Sequence, residues 1–368
     1  MKKKFINQME PWIGEEEISA MISYLRSGGW LTEFKETQKF EGKIAEYVGS
    51  RYACVVNNGT VSLFIAVMGL GIGKGDEVLV PNLSMIASAN AVILAGANPV
   101  LVDIEKETLC IDLQKCEKAL SKNTKALIFV NLNGRSPDMD KVVTFCRKNK
   151  LMLLEDAAQS LGSKWRGKHL GTFGAIGSFS FSAPKIITTG QGGALVTDDR
   201  KLYENMRKIK DFGREKAGID KHVSLGYNFK FTDIQAVIGI EQMKKLSFRV
   251  KRKKEIFSLY RKELDGVKGL SFIKTNLKDT TPWFIDILVE KRNDLIKYLH
   301  KQGIGSRPIY PPIHTQSPYK EMKIHKKNNF PVSIEIANSG LWLPSASFLS
   351  DEKVRRVCKE IRNFYLSI

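Results

Sequence analysis

Short apolar runs alternate with segments of helical periodicity over the first half of the chain. The runs are YACVVNN, DEVLVPN, PVLVDI, KALIFVNLNG and LMLLEDAAQ, and the segments between them include GTVSLFIAVMGLGI, SMIASANAVILAG and DMDKVVTFCRKNK. Short length and β-branched residues predict strands for the runs, whereas the longer segments space apolar residues as one face of a helix does. The alternation therefore predicts an α/β fold whose sheet is mainly parallel.

Polar residues directly follow the predicted strands. In such sheets ligands bind beyond the carboxyl ends of the strands, so these residues matter more for function than those within the strands. They are Asn58-Gly59-Thr60, Pro81-Asn82, Asn131 and Glu155-Asp156. We expect the functional site at this edge of the sheet.

The pattern changes near residue 245. A long charged helix is predicted there, and a mixed region with two proline clusters, RPIYPPIH and LWLPS, follows it. A chain of 368 residues with 43% hydrophobic content can bury a large core in one or two domains. We predict a large domain over residues 1–245 and a smaller C-terminal domain over residues 246–368.

The chain is strongly basic, with 58 basic against 39 acidic residues and a formal net charge of +19. Such a surplus attracts anions of any kind. The basic residues are dispersed over predicted surface helices, without zinc-finger spacing or an RNP-like aromatic motif, which argues against nucleic acid as the partner. A solvated lysine-rich surface and a phosphorylated small substrate are the two remaining explanations.

Export, membrane insertion and metal binding find no support in the sequence. The basic MKKK start is followed by FINQMEPWIG rather than an apolar region, and the longest apolar stretch, residues 86–102, is interrupted by Asn90, Asn98 and Pro99. The five cysteines form no CxxC pair, and no histidine stands at metal-ligand spacing. We expect a cytoplasmic protein with reduced structural thiols.

One lysine, Lys185 in FSFSAPKIITTGQGG, is the strongest candidate for catalysis. A lysine after a strand is ordinarily a surface residue with its ammonium group in water. Here the small residues 188–193 follow it, and small residues let the backbone approach a bulky group. A lysine beside such a cavity suits Schiff-base chemistry with an aldehyde or ketone. The commonest aldehyde cofactor of this kind is pyridoxal phosphate.

That hypothesis requires a carboxylate and a phosphate site elsewhere in the chain. A carboxylate at the pyridine nitrogen keeps it protonated, and Asp156 ends the strand LMLLED at the expected edge, although it could merely cap the next segment. The phosphate needs N–H groups at the start of a helix, which the Gly59-Thr60 turn supplies. The motifs GxGxxG and GxxxxGK[ST] do not occur, so dinucleotide and P-loop sites lose their main support.

A series of motifs in order resembles the DegT/StrS family of sugar-nucleotide aminotransferases over almost the whole chain. The motifs are GWLTEFKETQKFE, NNGTVSL, VPNLSMIASANAV, EDAAQSLGSKWRGKHLGTFGAIGSFSFS, TTGQGG, LGYNFKFTDIQAVIG and RPIYPPIH. The resemblance implies fold type I of the pyridoxal-phosphate enzymes, with a smaller α+β C-terminal domain.

The resemblance also implies roles for individual residues. Lys185 forms the Schiff base with the cofactor, Asp156 binds its pyridine nitrogen, and Gln159 contacts its phenolic oxygen. Ser180 and Thr60 bind the phosphate. Asn228 reaches the phosphate of the neighbouring subunit's cofactor, which makes a homodimer with shared active sites the smallest complete unit. The alternative is that Asn228 only caps the helix that TDIQAVIGIEQM begins.

Several positions depart from the family's common pattern. Met85 stands where an aromatic ring often covers the cofactor; a thioether can pack on the ring, and ordinary core filling is the alternative. Lys230 replaces a common arginine after GYN, which reduces a bidentate anion contact on the substrate side to a point charge. NLNGRS replaces a stretch that more often contains histidine. Relatives that dehydrate ketosugars carry histidine at the lysine position, whereas this chain keeps Lys185.

The RPIYPPIH segment resembles members that aminate a 4-keto-6-deoxy sugar linked to GDP. The implied reaction takes an amino group from an amino acid, with glutamate favoured, and supplies an amino sugar for surface glycans. Arg307 and His314 are substrate contacts by this resemblance, or solvated residues of a proline-rich loop. A UDP- or dTDP-ketosugar, amination at C3, another pyridoxal-phosphate reaction such as decarboxylation, and a non-catalytic regulator are the alternatives.

Overall fold

The computed structural model describes residues 4–322 and 329–367. These residues form a seven-stranded sheet, a four-stranded sheet and a two-stranded hairpin. The strands are β1 (Tyr52–Val56), β2 (Glu77–Pro81), β3 (Asn98–Val102), β4 (Thr124–Val130), β5 (Met152–Asp156), β6 (Lys164–Trp165), β7 (Lys168–His169), β8 (Ile176–Ser180), β9 (Gly193–Thr197), β10 (Leu270–Phe272), β11 (Ile285–Val289), β12 (Arg307–Pro308) and β13 (Gly340–Leu343).

Helices connect and cover these strands. They are α1 (Glu15–Arg26), α2 (Lys35–Val48), α3 (Gly59–Gly69), α4 (Ala87–Leu94), α5 (Leu113–Ala119), α6 (Met139–Lys148), α7 (Arg200–Lys210), α8 (Asp233–Lys244), α9 (Leu246–Glu263), α10 (Arg292–Lys301), α11 (Ser317–Met322), α12 (Pro331–Ser339) and α13 (Asp351–Leu366). Within the described ranges, no helix is both long and apolar enough to cross a membrane.

The larger sheet has the strand order β1-β9-β8-β5-β4-β2-β3 and is parallel except for β9. The five runs predicted from the sequence form β1 to β5, and the α/β prediction with a mainly parallel sheet is confirmed. Strands β4 and β5 are almost wholly buried, as expected for strands covered by helices on both faces. The carboxyl ends of β1, β2, β4, β5 and β8 consequently lie at one edge.

The second sheet is antiparallel, with the order β10-β11-β13-β12. Helices α9, α10 and α13 pack with it around a separate apolar core. Ile6 belongs to that core and pairs with Ile304, so a segment near the start of the chain packs with the C-terminal sheet. The domain boundary at residue 245 stays a prediction.

Buried polar contacts join the segment after β4 of the larger sheet to the segment around β11 of the second sheet. The side-chain amide of Asn133, just after β4, donates to the carbonyl of Phe284 at 2.8 Å and accepts from its N–H at 2.6 Å. The guanidinium group of Arg135 binds both carboxylate oxygens of Asp286, and Arg135 Nε donates to Thr275 at 3.0 Å. Both charged side chains are fully buried, so the pair is shielded from water and salt.

Replacing Arg135 by Met should lower the free energy of unfolding by about 3–5 kcal/mol, because the Asp286 carboxylate would stay buried without its partner. Urea unfolding followed by circular dichroism measures the change. The double variant Arg135→Met with Asp286→Leu should recover most of the loss, since it removes both charges. Equal stability of the wild type and the single variant would contradict the assignment of a buried, mutually dependent pair.

Candidate active site

The N-terminus of α3 packs directly against the end of β8. A Cβ atom added to Gly59 would lie 2.8 Å from Cβ of Ser180, so only glycine allows this approach. Asn58 caps the helix by accepting from the N–H of Val61 at 2.9 Å, and none of the described residues accepts from the N–H groups of Gly59 or Thr60. Two free N–H groups, a helix dipole and the Ser180 hydroxyl group form an arrangement that can hold a phosphate.

Asp156 ends β5 and is 5% exposed. One carboxylate oxygen accepts from Ser88 Oγ at 2.6 Å, and the other accepts from the N–H of Ala158 at 3.2 Å. Burial raises the pKa of Asp156, while these hydrogen bonds and the positive charge of Lys185 act in the opposite direction. A carboxylate oriented in this way can bind a protonated ring nitrogen.

Gln159 lies in the turn that follows β5, and its Oε1 accepts from the N–H of Asn133 at 2.7 Å. This bond orients the amide, because it uses the oxygen and leaves the nitrogen as the free donor. Asn133 adopts a positive φ of 56° and is itself fixed by Phe284. Contacts between the two sheets thus orient a donor at the same strand edge as Asp156.

Lys185 is partly exposed, and its Nζ lies 4.0 Å from the centre of the Trp283 ring. Burial lowers the pKa of Lys185 to about 8, and the negative charge of Asp156 opposes that shift. A lowered pKa increases the fraction of neutral amine at physiological pH, and the neutral amine is the nucleophile. The surface-lysine alternative does not fit this environment.

Met85 and Asn228 occupy exposed positions. Met85 is 46% exposed in the β2–α4 connection, and its carbonyl accepts from Ser88 Oγ, the same hydroxyl group that reaches Asp156. Asn228 is exposed and pairs with Asp211 next to the end of α7. Thr232 caps α8 by accepting from Gln235, so Asn228 does not have the capping role considered as its alternative.

The three predicted substrate residues differ in how they are held. Lys230 pairs with Asp211 at 2.9 Å, so its charge already has a partner. His314 bonds through its backbone and ring to Asn82, which follows β2. Arg307 is exposed and lies over the rings of Tyr310 and Trp342, at 6.0 and 5.6 Å from their centres.

Three site residues were not predicted from the sequence. Ser88 stands within the NLSMIAS motif, where a serine one helical turn after Met85 could have indicated a second polar contact. Asn133 lies in NLNGRS, which departs from the family's pattern, but the pattern did not indicate its contact with Gln159. Trp283 carried no signal, because its contact with Lys185 joins segments far apart in the chain.

Comparison with known proteins decides the family. The model of the DegT/DnrJ/EryC1/StrS aminotransferase family matches residues 11–362. The chain belongs to this family. It is 36% identical to the GDP-perosamine synthase of Escherichia coli over 98% of this chain and 99% of that protein, and 32% identical to the one from Vibrio cholerae over 97% and 98%.

Solved structures agree with this assignment. The PLP form of a putative sugar aminotransferase from Streptococcus pneumoniae matches with a TM-score of 0.93 and 26% identity, over 99% of each chain. The protein is therefore a PLP-dependent aminotransferase, and pyridoxal 5′-phosphate is its cofactor. The free N–H groups at α3, the Asp156 carboxylate, the Gln159 amide nitrogen and the Lys185 amine suit the chemistry of that cofactor.

Replacing Gly59 by Ala should weaken binding of pyridoxal phosphate about ten- to hundredfold, because the new methyl group would force Ser180 away from the helix start. Titration of the cofactor-free protein, followed by absorbance, measures the dissociation constant. Gly42→Ala is the matched control, since Gly42 lies in α2 with no atom near the added Cβ. Unchanged affinity in Gly59→Ala would show that this turn does not hold the phosphate.

Proposed function

We propose that the enzyme transfers an amino group from L-glutamate to C4 of a nucleotide-linked 4-keto-6-deoxy sugar, with GDP as the nucleotide. The product would be a GDP-linked amino sugar such as perosamine, used for a surface glycan. Full-length similarity to GDP-perosamine synthases of Escherichia coli and Vibrio cholerae supports this substrate. The observation that carries the chemistry is a partly buried lysine near a buried carboxylate, at the strand edge that also presents the α3 N-terminus.

Different residues at this strand edge would bind different parts of the cofactor. Gly59, Thr60 and Ser180 would hold the phosphate, Asp156 the pyridinium nitrogen and Gln159 the phenolic oxygen. Met85, in the connection beside Asp156, would cover the ring by a thioether contact. When bound, pyridoxal phosphate supplies an electron sink for the carbon that loses a proton.

Lys185 would carry the proton between the two carbon atoms that exchange it. As a neutral amine it would remove the proton from the α-carbon of glutamate, and as an ammonium group it would deliver that proton to C4′. Its pKa of about 8 suits both roles, because a general acid–base works best when its pKa is near the working pH. The same side chain works in reverse when the keto group of the sugar is converted to an amine.

Arg307 and His314 of the C-terminal region, together with Lys230, would bind the sugar nucleotide. Arg307 has two aromatic neighbours, and within residues 4–322 and 329–367 no carboxylate pairs with it, so its guanidinium group can receive an anion such as a diphosphate. His314 is oriented by Asn82 at the end of β2. Lys230 would contribute a point charge after releasing or sharing Asp211.

We further propose a homodimer with shared active sites. Several large apolar side chains are exposed, and contiguous exposed apolar surface is typical of association. They include Trp30 at 63% and Phe34 at 47% near α2, and Val223 at 48% and Leu225 at 90% near Asn228. Asn228 would then reach the phosphate of the partner's cofactor.

One set of measurements distinguishes the proposed function from its alternatives. Purified enzyme and glutamate are incubated in parallel reactions with a GDP-, a UDP- or a dTDP-linked ketosugar, and the amino product of each reaction is identified by mass spectrometry. We expect product with the GDP-linked sugar and a change in the visible absorbance of the cofactor on addition of glutamate. A bound cofactor that does not respond to amino donors would favour a decarboxylase or lyase, and absence of cofactor absorbance would favour a regulator.

Lys185→Ala is the control for that assay. Amination should fall by at least about 10²- to 10⁴-fold, since the proton carrier is lost, while the melting temperature stays near that of the wild type. Amination by this variant at the rate of the wild type would refute the assignment of Lys185.

The shared site predicts complementation. Lys185→Ala and Asn228→Ala chains, co-expressed with different tags and purified as the doubly tagged heterodimer, contain one site with both wild-type residues. The activity of that heterodimer, expressed per dimer, should reach up to about half of the wild-type value, because one of its two sites is intact. Activity no higher than that of the Asn228→Ala homodimer would refute the shared site.

A further inference from the structure

The amine of Lys185 lies over an aromatic ring. Nζ lies 4.0 Å from the centre of the Trp283 ring, well within the range of about 6 Å for a cation–π contact. Among the described residues no carboxylate lies within ion-pair distance of Nζ, and none accepts a hydrogen bond from it. Asp156 on β5 acts on Lys185 through its charge, at longer range.

Trp283 is held rigidly in this position. Its indole N–H donates to the carbonyl of Pro184, the residue before the lysine, at 2.8 Å. Its ring stacks on Phe284 with centres 3.8 Å apart and meets the edge of Trp342 at 5.8 Å. Only 4% of the residue is exposed. The Trp283 side chain thus contacts both the backbone before Lys185 and the amine of Lys185.

A buried lysine of helix α9 holds the backbone of Trp283. Lys253 on α9 is fully buried, and its Nζ donates to the carbonyl of Trp283 at 2.6 Å and also to the carbonyl of Ser345. Burial lowers the pKa of Lys253 to about 7. Helix α9 therefore fixes the segment that carries the indole ring.

We propose that Trp283 is a positioning residue for Lys185: its indole face holds the ammonium group whenever the amine is not bonded to the cofactor, and its N–H fixes the adjoining backbone. The inference deepens the proposed function and rests on it, because the benefit arises when Lys185 carries a proton between two carbon atoms. The same contact exists in the chain without cofactor, so it can be tested separately.

An aromatic ring suits this task better than a carboxylate would. While Lys185 carries the proton it is a cation in a site that excludes much of the water, which is costly. A carboxylate in contact would stabilise the cation strongly and oppose release of the proton. An indole face stabilises the cation by a smaller amount and has no site that takes the proton.

The test measures how the reactivity of Lys185 depends on pH. Full-length enzyme is labelled with trace acetic anhydride over a pH series, both without cofactor and loaded with pyridoxamine 5′-phosphate, and the Lys185 peptide is quantified by mass spectrometry. In Trp283→Leu the labelling midpoint should fall by about 0.5–1.5 pH units, since the ammonium form loses the ring. In Trp283→Phe, which keeps an aromatic face, it should fall by less than half of that shift.

A midpoint in Trp283→Leu equal to or above that of the wild type would overturn the proposal. If Trp283→Leu does not fold, the wild-type chain is produced with fluorinated tryptophans, which keep the indole N–H and nearly the same volume but weaken the negative ring face. The midpoint should then fall stepwise with fluorine number. Trp283→Phe produced with the same fluorinated tryptophans is the matched control, because it carries fluorine only at the other four of the five tryptophans. Its labelling midpoint should show no stepwise fall. Absence of a stepwise fall in the wild type would equally refute the proposal.

The outcome is distinguishable from failure of the proposed function. If the wild type aminated none of the ketosugars, the proposed function would fail, while the labelling midpoints in the cofactor-free chain would still decide whether the ring holds the ammonium group. If the proposed function holds, Trp283→Leu should lower kcat at least about tenfold with little change in KM for glutamate, because the defect lies in proton transfer and not in binding. A change confined to KM would contradict a positioning role.

Discussion

The site depends on the contact between the turn after β4 and the segment that leads into β11. Asn133 pairs with the backbone of Phe284, and Arg135 pairs with Asp286, all of them away from water. The same turn orients Gln159, and the same segment carries Trp283 over Lys185. If this contact loosened, Gln159 and Lys185 would each lose a group that orients them, so we expect stability and reactivity at the site to be coupled.

Three of the buried cations of this basic protein differ from Lys185 in the groups that they contact. Arg135 and Lys210 meet carboxylates, and Lys253 meets two backbone carbonyls, so each charge or donor is satisfied by oxygen. Lys185 meets the face of Trp283 instead, and burial lowers its pKa to about 8. Arg135, Lys210 and Lys253 are thus fixed by oxygen atoms, whereas the amine of Lys185 lies beside an aromatic face, with the Asp156 carboxylate acting on it at longer range.

Much of this arrangement follows from patterns that can be recognised in the sequence. The strand–helix alternation predicted the parallel sheet, and with it the edge where Gly59, Thr60 and Asp156 lie. The lysine among small residues indicated Schiff-base chemistry. Asn228 shows the limit of such reasoning, because the local pattern also allowed a capping role near α8, and only the structure shows that Thr232 is the cap.

The sequence by itself determined the fold class, the family and the residue types at the strand ends, since these depend on periodicity and on motifs within short segments. The tertiary structure decided which groups meet across long separations, namely Ser88 with Asp156, Asn133 with Phe284, and Trp283 with Lys185. The physical reason is that contact geometry depends on how separate elements pack, and local composition does not specify it. An indole ring 4 Å from an amine is therefore a property of the packed molecule and not of either segment alone.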